Sequence, residues 1–85
     1  MDRNTAVRFI ADRISAAILH SGKKKNHIAK TAGIPLSTFM KKLKAEGEFS
    51  LGEIMAVADA IGVPAHELMP QSIFKQDSMI QERAA

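Results

Sequence analysis

The sequence contains no cysteine, no tryptophan and no tyrosine, and only four of its 85 residues are phenylalanine. Without cysteine, the chain can form no disulfide scaffold, no thiolate zinc site and no cysteine nucleophile. With so few aromatic side chains, its hydrophobic core must be built mainly from Ile, Leu, Val, Met and Ala. The lack of cysteine is also compatible with a reducing compartment.

Long apolar runs and secretory features are absent as well. No apolar run approaches the roughly 18 residues that a membrane-spanning helix needs. The first nine residues mix acidic and basic side chains without an apolar segment, so they do not predict a secretory signal. We therefore expect a soluble intracellular protein that does not bind membranes. Its length allows one domain with a single modest core.

Positive charge is concentrated in one segment, although the formal net charge of the chain is only +3. Residues 23–44 hold seven lysines and no acidic residue, whereas the rest of the chain holds five basic and nine acidic residues. Segregated positive charge is the electrostatic pattern of a protein that binds phosphate backbones. Taken alone, the pattern fits a solvated lysine-rich surface equally well.

The spacing of apolar residues predicts an all-α fold, and no segment shows the alternation of a β-strand. The first helix covers residues 4–20, is capped by Asp2 or Asn4, and ends at Gly22. Three- and four-residue steps place one apolar face on this helix, formed by Val7, Ile10, Ile14, Ala17 and Ile18.

Two short helices around a turn are predicted next, over residues 25–32 and 36–44. Gly33 supplies the left-handed backbone at the turn. Pro35 disfavours helical geometry at Ile34 and suits the first turn of the following helix, so the break belongs there. The layout is that of a helix-turn-helix, whose second helix enters the major groove of DNA.

The side chains around this turn fit the same layout. Ala29 is small at the point where the two helices would cross closely, and Ile34 would fill the angle between them. Phe39 and Leu43 would anchor the second helix from its inner side. The same spacing could also serve a helical bundle that does not bind DNA.

A capping box predicts the start of the fourth helix. The Ser50 hydroxyl can accept from the Glu53 amide, and the Glu53 side chain can reach back, while Phe49 and Ile54 can form a hydrophobic staple. The helix ends at Gly62. Its apolar face consists of Ile54, Val57, Ala58 and Ile61.

A short fifth helix, residues 64–69, is predicted before the break at Pro70. We therefore divide the chain into a helix-turn-helix domain, residues 1–70, and a C-terminal tail, residues 71–85. Ile73, Phe74 and Ile80 would share one face of a helix in the tail. The tail could pack on the domain, pair with a second subunit, or remain disordered.

The side chains on the outer face of the helix 36–44 predict which DNA groups each could contact. Lys41 can donate to guanine or to a phosphate, Ser37 can bond to a base edge or a phosphate, and Leu36 and Met40 offer apolar contact to thymine methyl groups. This helix carries no Arg, Asn or Gln, so it has no bidentate base reader. Much of the affinity would then come from lysine–phosphate contacts. Lys25 and Asn26 lie where the amides of a helix start could also meet a phosphate.

The run from residue 27 to residue 68 resembles the Cro/phage-repressor (Xre-type) helix-turn-helix family. The resemblance is carried by the Ala-x-x-x-Gly-Ile element at 29–34, Ser-Thr-Phe at 37–39, FSLGEI at 49–54 and AxAIGVPxxEL at 58–68. It covers roughly residues 6–69. It implies a five-helix, lambda-repressor-like domain that binds operator DNA as a homodimer or weakly associating monomer and regulates transcription. A phage- or prophage-derived regulator in the cytoplasm and nucleoid of a bacterial host is the implied setting.

The resemblance also implies site residues. Positions facing DNA bases fall on Leu36, Ser37, Met40, Lys41 and Lys44. Positions facing phosphates fall on Lys25, Asn26 and Lys30, and we extend this set by Lys24, Thr38 and Lys42. Two positions depart from the family pattern. Lys42 stands where many members have a buried apolar residue, and Leu36 stands where a polar base reader is common.

No residue pattern predicts a metal site or a catalytic site. His20, His27 and His66 are not spaced as metal ligands, and there is no nucleophile elbow, phosphate-binding glycine loop or pair of convergent acids. We therefore expect neither an enzyme nor a metal, cofactor or small-molecule ligand. Two other hypotheses stay open: an antitoxin-like or adaptor module that binds a protein through its apolar tail, and an architectural protein that binds DNA without sequence preference.

Overall fold

A computed structural model describes residues 2–70 of the chain, which form four α-helices and one turn of 3-10 helix. Within these residues there is no β-strand, so the predicted all-α class is confirmed. None of the described helices is both long enough and apolar enough to cross a bilayer. The elements in chain order are α1 (Arg3–Ser21), α2 (Lys25–Ala32), α3 (Leu36–Leu43), α4 (Leu51–Ile61) and the 3-10 helix Ala65–Leu68.

Side-chain caps begin α1 and α4. Of the two residues predicted to cap α1, Asp2 does so: its carboxylate accepts from the Thr5 N–H at 2.7 Å, and this bond lowers the pKa of Asp2. The predicted capping box of α4 is confirmed. The Glu53 N–H donates to Ser50 Oγ at 3.1 Å, and the Ser50 N–H donates to Glu53 Oε1 at 2.9 Å.

The predicted fifth α-helix, residues 64–69, is instead a single 3-10 turn, Ala65–Leu68. Pro64 precedes the turn and Pro70 follows it closely, which leaves too few residues for α-helical hydrogen bonds to repeat. The hydrogen bond from the Glu67 N–H to the Pro64 carbonyl, at 3.1 Å, spans three residues, as in a 3-10 helix, and not four. The predictions for residues 71–85 lie outside the described residues.

The hydrophobic core is mainly aliphatic, as predicted, with two aromatic rings in its middle. Helix α2 packs chiefly against α4, and α1 contacts both α3 and α4. The rings of Phe39 and Phe49 meet edge to face, with centroids 5.9 Å apart. Of the apolar face predicted for α1, Ile14 and Ile18 are buried and Ile10 and Ala17 pack against the core, whereas Val7 is half-buried outside it. Ala11 is buried in addition. Other buried core residues include Ile14, Ile18, Ile28, Ala29, Ile54, Val57, Ile61 and Leu68.

The turn between α2 and α3 has the left-handed glycine predicted for it. Gly33 has φ 77°, its N–H donates to the Lys30 carbonyl at 3.1 Å, and the Ile34 N–H donates to the Ala29 carbonyl at 2.9 Å. A Cβ atom at Gly33 would meet nothing within 4 Å. Glycine therefore suits this position because of its backbone conformation and not because space is short.

The end of α3 repeats the same hydrogen-bond pattern without a glycine. Ala45 has φ 62°, its N–H donates to the Lys42 carbonyl at 3.0 Å, and the Glu46 N–H donates to the Lys41 carbonyl at 2.9 Å. Ala45 is the one described residue other than glycine with a positive φ. An L-residue in this conformation is strained by roughly 1 kcal/mol relative to glycine.

Ala45→Gly is expected to raise the free energy of unfolding by about 0.5–1 kcal/mol, because relief of this strain outweighs the added freedom of glycine in the unfolded chain. Chemical denaturation measures the change. Gly33→Ala is the matched control, since it creates the same strain in the same motif, and it is expected to cost about 1 kcal/mol. A loss of stability in Ala45→Gly would contradict the left-handed backbone at residue 45.

Candidate nucleic-acid interface

Helix α3 presents one anchored face and one accessible face. Phe39 is completely buried and Leu43 is partly buried against the core, as predicted. Among the positions predicted to face bases, Ser37, Lys41 and Lys44 are exposed, and their spacing of four and three residues places them on one side of the helix. Leu36 is also exposed and Met40 is half-buried. The predicted base-facing positions therefore lie together on accessible surface.

The four α-helices differ in how their N-termini are satisfied. Helices α1 and α4 have side-chain caps. The residues before α2 and α3, Lys24 and Pro35, provide no side-chain cap, and neither helix has an acidic residue in its first turn. The first N–H groups of α2 and α3 therefore have no side-chain acceptor, and they lie at the positive end of each helix dipole. A phosphate group is the ligand that such a helix start favours.

Five of the seven lysines in residues 23–44 are exposed and uncommitted. Within residues 2–70, none of their five ammonium groups makes a hydrogen bond or an ion pair. We call them the free lysines: Lys24, Lys25, Lys30, Lys41 and Lys44. All of them lie on or beside α2 and α3, the helices with uncapped N-termini. Asn26 is exposed at the start of α2, and Thr38 is half-buried in the first turn of α3.

Lys23 is committed to the end of α4. Its Nζ donates to the carbonyl oxygens of Ala60 and Ile61, at 3.0 and 3.1 Å. These carbonyls belong to the last turn of α4, where a cation offsets the negative end of the helix dipole. Lys23 therefore stabilises the fold and is not a member of the free positive surface.

The ammonium group of Lys42, which the sequence predicted to contact phosphate, is bound in an ion pair within the fold. Its Nζ donates to both carboxylate oxygens of Glu53, at 2.7 and 2.9 Å. The side chains of Lys42 and Glu53 are only 18% and 27% exposed. The hydrogen bond from Lys42, supported by the one from the Ser50 amide, lowers the pKa of Glu53.

Sequence reasoning identified the cap that Glu53 forms but missed its bond to Lys42. The two residues lie on different helices and eleven positions apart, so no helical spacing rule relates them. One signal was present: Lys42 follows Phe39 by three positions, which places it beside the buried face of α3. A lysine at such a position needs an acceptor close to the core.

A second ion pair joins α1 to the link between α3 and α4. Arg3 and Glu48 make an exposed ion pair at 2.6 Å, of a kind that contributes little to stability. No group of three metal-ligating side chains occurs among residues 2–70.

Comparison with known proteins places these features within a family. Residues 2–81 match the family described as the BetR domain, a small helical domain family. The matched range includes every helix described above and all five free lysines. A comparison with curated proteins found no match.

Proposed function

The chain belongs to the BetR domain family, and we propose that it is a sequence-specific DNA-binding regulator of transcription. In this proposal α2, the turn at Gly33 and α3 form a helix-turn-helix of the Cro/phage-repressor type. In a lambda-repressor-like arrangement, the 3-10 turn Ala65–Leu68 would take the place of the fifth helix. The protein would act by occupying an operator as a homodimer, without catalysis and without a cofactor.

The sorting of the lysines is the observation that carries the proposal. The ammonium groups of Lys23 and Lys42 are bonded within the fold. The five free lysines all lie on or beside α2 and α3, the two helices without side-chain caps. Lys24 and Lys25 lie at the open start of α2, and Lys30, Lys41 and Lys44 lie in or directly after the last turns of α2 and α3. Phosphate contact explains both features together.

The exposed face of α3 supplies the groups that would contact bases in the major groove. Lys41 and Lys44 would donate to guanine or to adjacent phosphates, and Ser37 would bond to a base edge. Leu36, with 47% of its surface exposed, would pack against thymine methyl groups together with Met40. This set predicts modest direct readout on top of a large electrostatic contribution.

Phosphate contacts would come from the start and outer face of α2. Lys24, Lys25 and Lys30 supply the charges, and the amides near Asn26 supply neutral donors. In α3, Thr38 would contribute through its amide in the open first turn. We leave Lys42 out of this set because Glu53 already holds its ammonium group.

Lys41→Ala is expected to weaken binding to the preferred duplex by about 1–3 kcal/mol and to weaken binding to random duplexes much less, since Lys41 lies in the middle of the proposed reading face. Fluorescence anisotropy on both duplexes measures the two effects. Lys30→Ala is the matched control, because it removes a free lysine from α2 and should weaken both complexes equally. An unchanged affinity in Lys41→Ala would remove this residue from the interface.

A further inference from the structure

We propose that Lys42 and Glu53 form a positioning pair that orients α3 for DNA reading. The inference rests on the proposed function, but it assigns Lys42 a task different from that of the free lysines. Lys42 would contribute to recognition by fixing the angle of α3 relative to α4, and its charge would not be presented to DNA. The contacts of its side chain support this assignment.

The link between α3 and α4 is built around the Lys42 side chain. A Cβ atom at Gly47 would come within 3.3 Å of Lys42 Cγ, so the link passes closely over the lysine stem. The ammonium group lies 5.9 Å from the centroid of the Phe49 ring, and Glu53 holds its end. A larger residue at position 47 would push against the stem, so glycine there preserves the close approach.

Glu53 connects two elements through one carboxylate group. It accepts from the Ser50 amide within the capping box of α4, and it accepts from Lys42 on α3. This pair is the one ion pair within residues 2–70 whose two side chains are both mostly buried, since Arg3 is 82% exposed in the other. Lys42 of α3 is therefore bonded to a carboxylate that the first turn of α4 holds in place.

The ring contact beneath the pair acts in the same direction. Phe49 precedes the α4 cap and meets Phe39, which is the buried anchor of α3, edge to face. The apolar contact and the ion pair thus join the same two segments at two separate points. Two points of attachment restrict rotation of a short helix much more than one does.

Using Lys42 as a phosphate contact would require this arrangement to open. The Glu53 carboxylate would lose its cation, and an unpaired negative charge near the DNA backbone would oppose binding. A free lysine such as Lys41 carries no such cost. The two lysines are neighbours in sequence, but the structure predicts opposite behaviour for them.

The salt dependence of DNA binding distinguishes the two tasks. Lys42→Met keeps the stem and removes the charge, and we expect it to bind the preferred duplex about tenfold more weakly with an unchanged slope of log K against log salt. Lys30→Met is the matched control, because Lys30 is a free lysine proposed to contact phosphate, and it should reduce the steepness of that slope by about 0.9. A reduction of about 0.9 in Lys42→Met, or unchanged affinity for the preferred duplex, would overturn the positioning assignment.

Glu53→Gln provides a second variant that touches no positive charge. Its amide oxygen can still accept from Ser50, but its attraction for Lys42 is lost. We expect the ratio of affinities for preferred and random duplexes to fall about tenfold, as in Lys42→Met. If the pair served stability alone, Glu53→Gln would lower the melting temperature, and the ratio of affinities measured on fully folded protein would stay unchanged.

Amide hydrogen exchange tests the pair without DNA. In both variants we expect faster exchange of the Ala45 and Glu46 amides, whose acceptors lie in the last turn of α3, while the amides inside α4 stay protected. Unchanged exchange at Ala45 and Glu46 would overturn the positioning pair. If the unmodified protein bound no duplex, the proposed function would fail, and the exchange rates would still decide whether Lys42 fixes α3.

Discussion

Binding of one chain to a DNA duplex is expected to weaken roughly 500-fold when salt rises from about 50 to about 200 mM. Each lysine that neutralises a phosphate releases condensed counterions, and five free lysines predict a slope of log K against log salt of about −4.5. Counting all seven lysines of residues 23–44 would predict about −6.3, or a roughly 6,000-fold change. Anisotropy on a duplex that accommodates a single chain separates these values.

Substitution of the five free lysines by glutamine should bring the slope close to zero. The fold should survive, because none of the five ammonium groups makes a hydrogen bond or ion pair in the described part of the chain. Arg8→Gln is a control for the loss of one exposed charge from α1 and should leave the slope unchanged. Equal effects of Arg8→Gln and Lys30→Gln on the slope would show that net charge, and not the position of the free lysines, governs binding.

Phe39→Ala is expected to lower the free energy of unfolding by about 3–5 kcal/mol. The ring is completely buried and contacts Phe49, so its removal leaves a cavity at the point where α3 is anchored. A domain of this size has a total stability of about 4–13 kcal/mol. Thermal unfolding followed by circular dichroism should show a melting temperature lower by roughly 15–30 °C.

Phe9→Ala makes the same chemical change at a half-buried ring on α1. Phe9 lies outside the core cluster, and its ring faces the Arg13 guanidinium at 5.8 Å. Its loss should cost about 1 kcal/mol. Comparable losses in the two variants would mean that Phe39 does not anchor α3 as described.

Most of the helical framework could be predicted because its signals are local. The capping box at Ser50, the glycine at position 33 and the proline at position 35 each act through the backbone of adjacent residues. The fifth element was predicted as an α-helix because proline and Leu68 mark its start and inner face. Its 3-10 geometry depends on the few residues between Pro64 and Pro70, and the spacing of apolar residues does not show this effect.

The candidate interface was predicted less completely, because charge in a sequence does not show where each side chain bonds. The accumulation of lysines in residues 23–44 was visible from the sequence. The separation into free and committed lysines was not, because Lys23 and Lys42 bond to α4 across distances of 37 and 11 residues along the chain. Tertiary contacts of this kind follow from packing and leave no regular spacing.

Selection of bound duplexes from a random pool tests most directly the claim that α3 reads DNA sequence. The purified chain would be equilibrated with the pool at about 50 and about 200 mM salt, and the bound fraction would be sequenced. We expect salt-dependent binding and one enriched motif, with two symmetric half-sites about one helical turn apart. Salt-dependent binding without enrichment would instead indicate an architectural protein. No binding at the lower salt concentration would contradict DNA recognition and favour a protein partner.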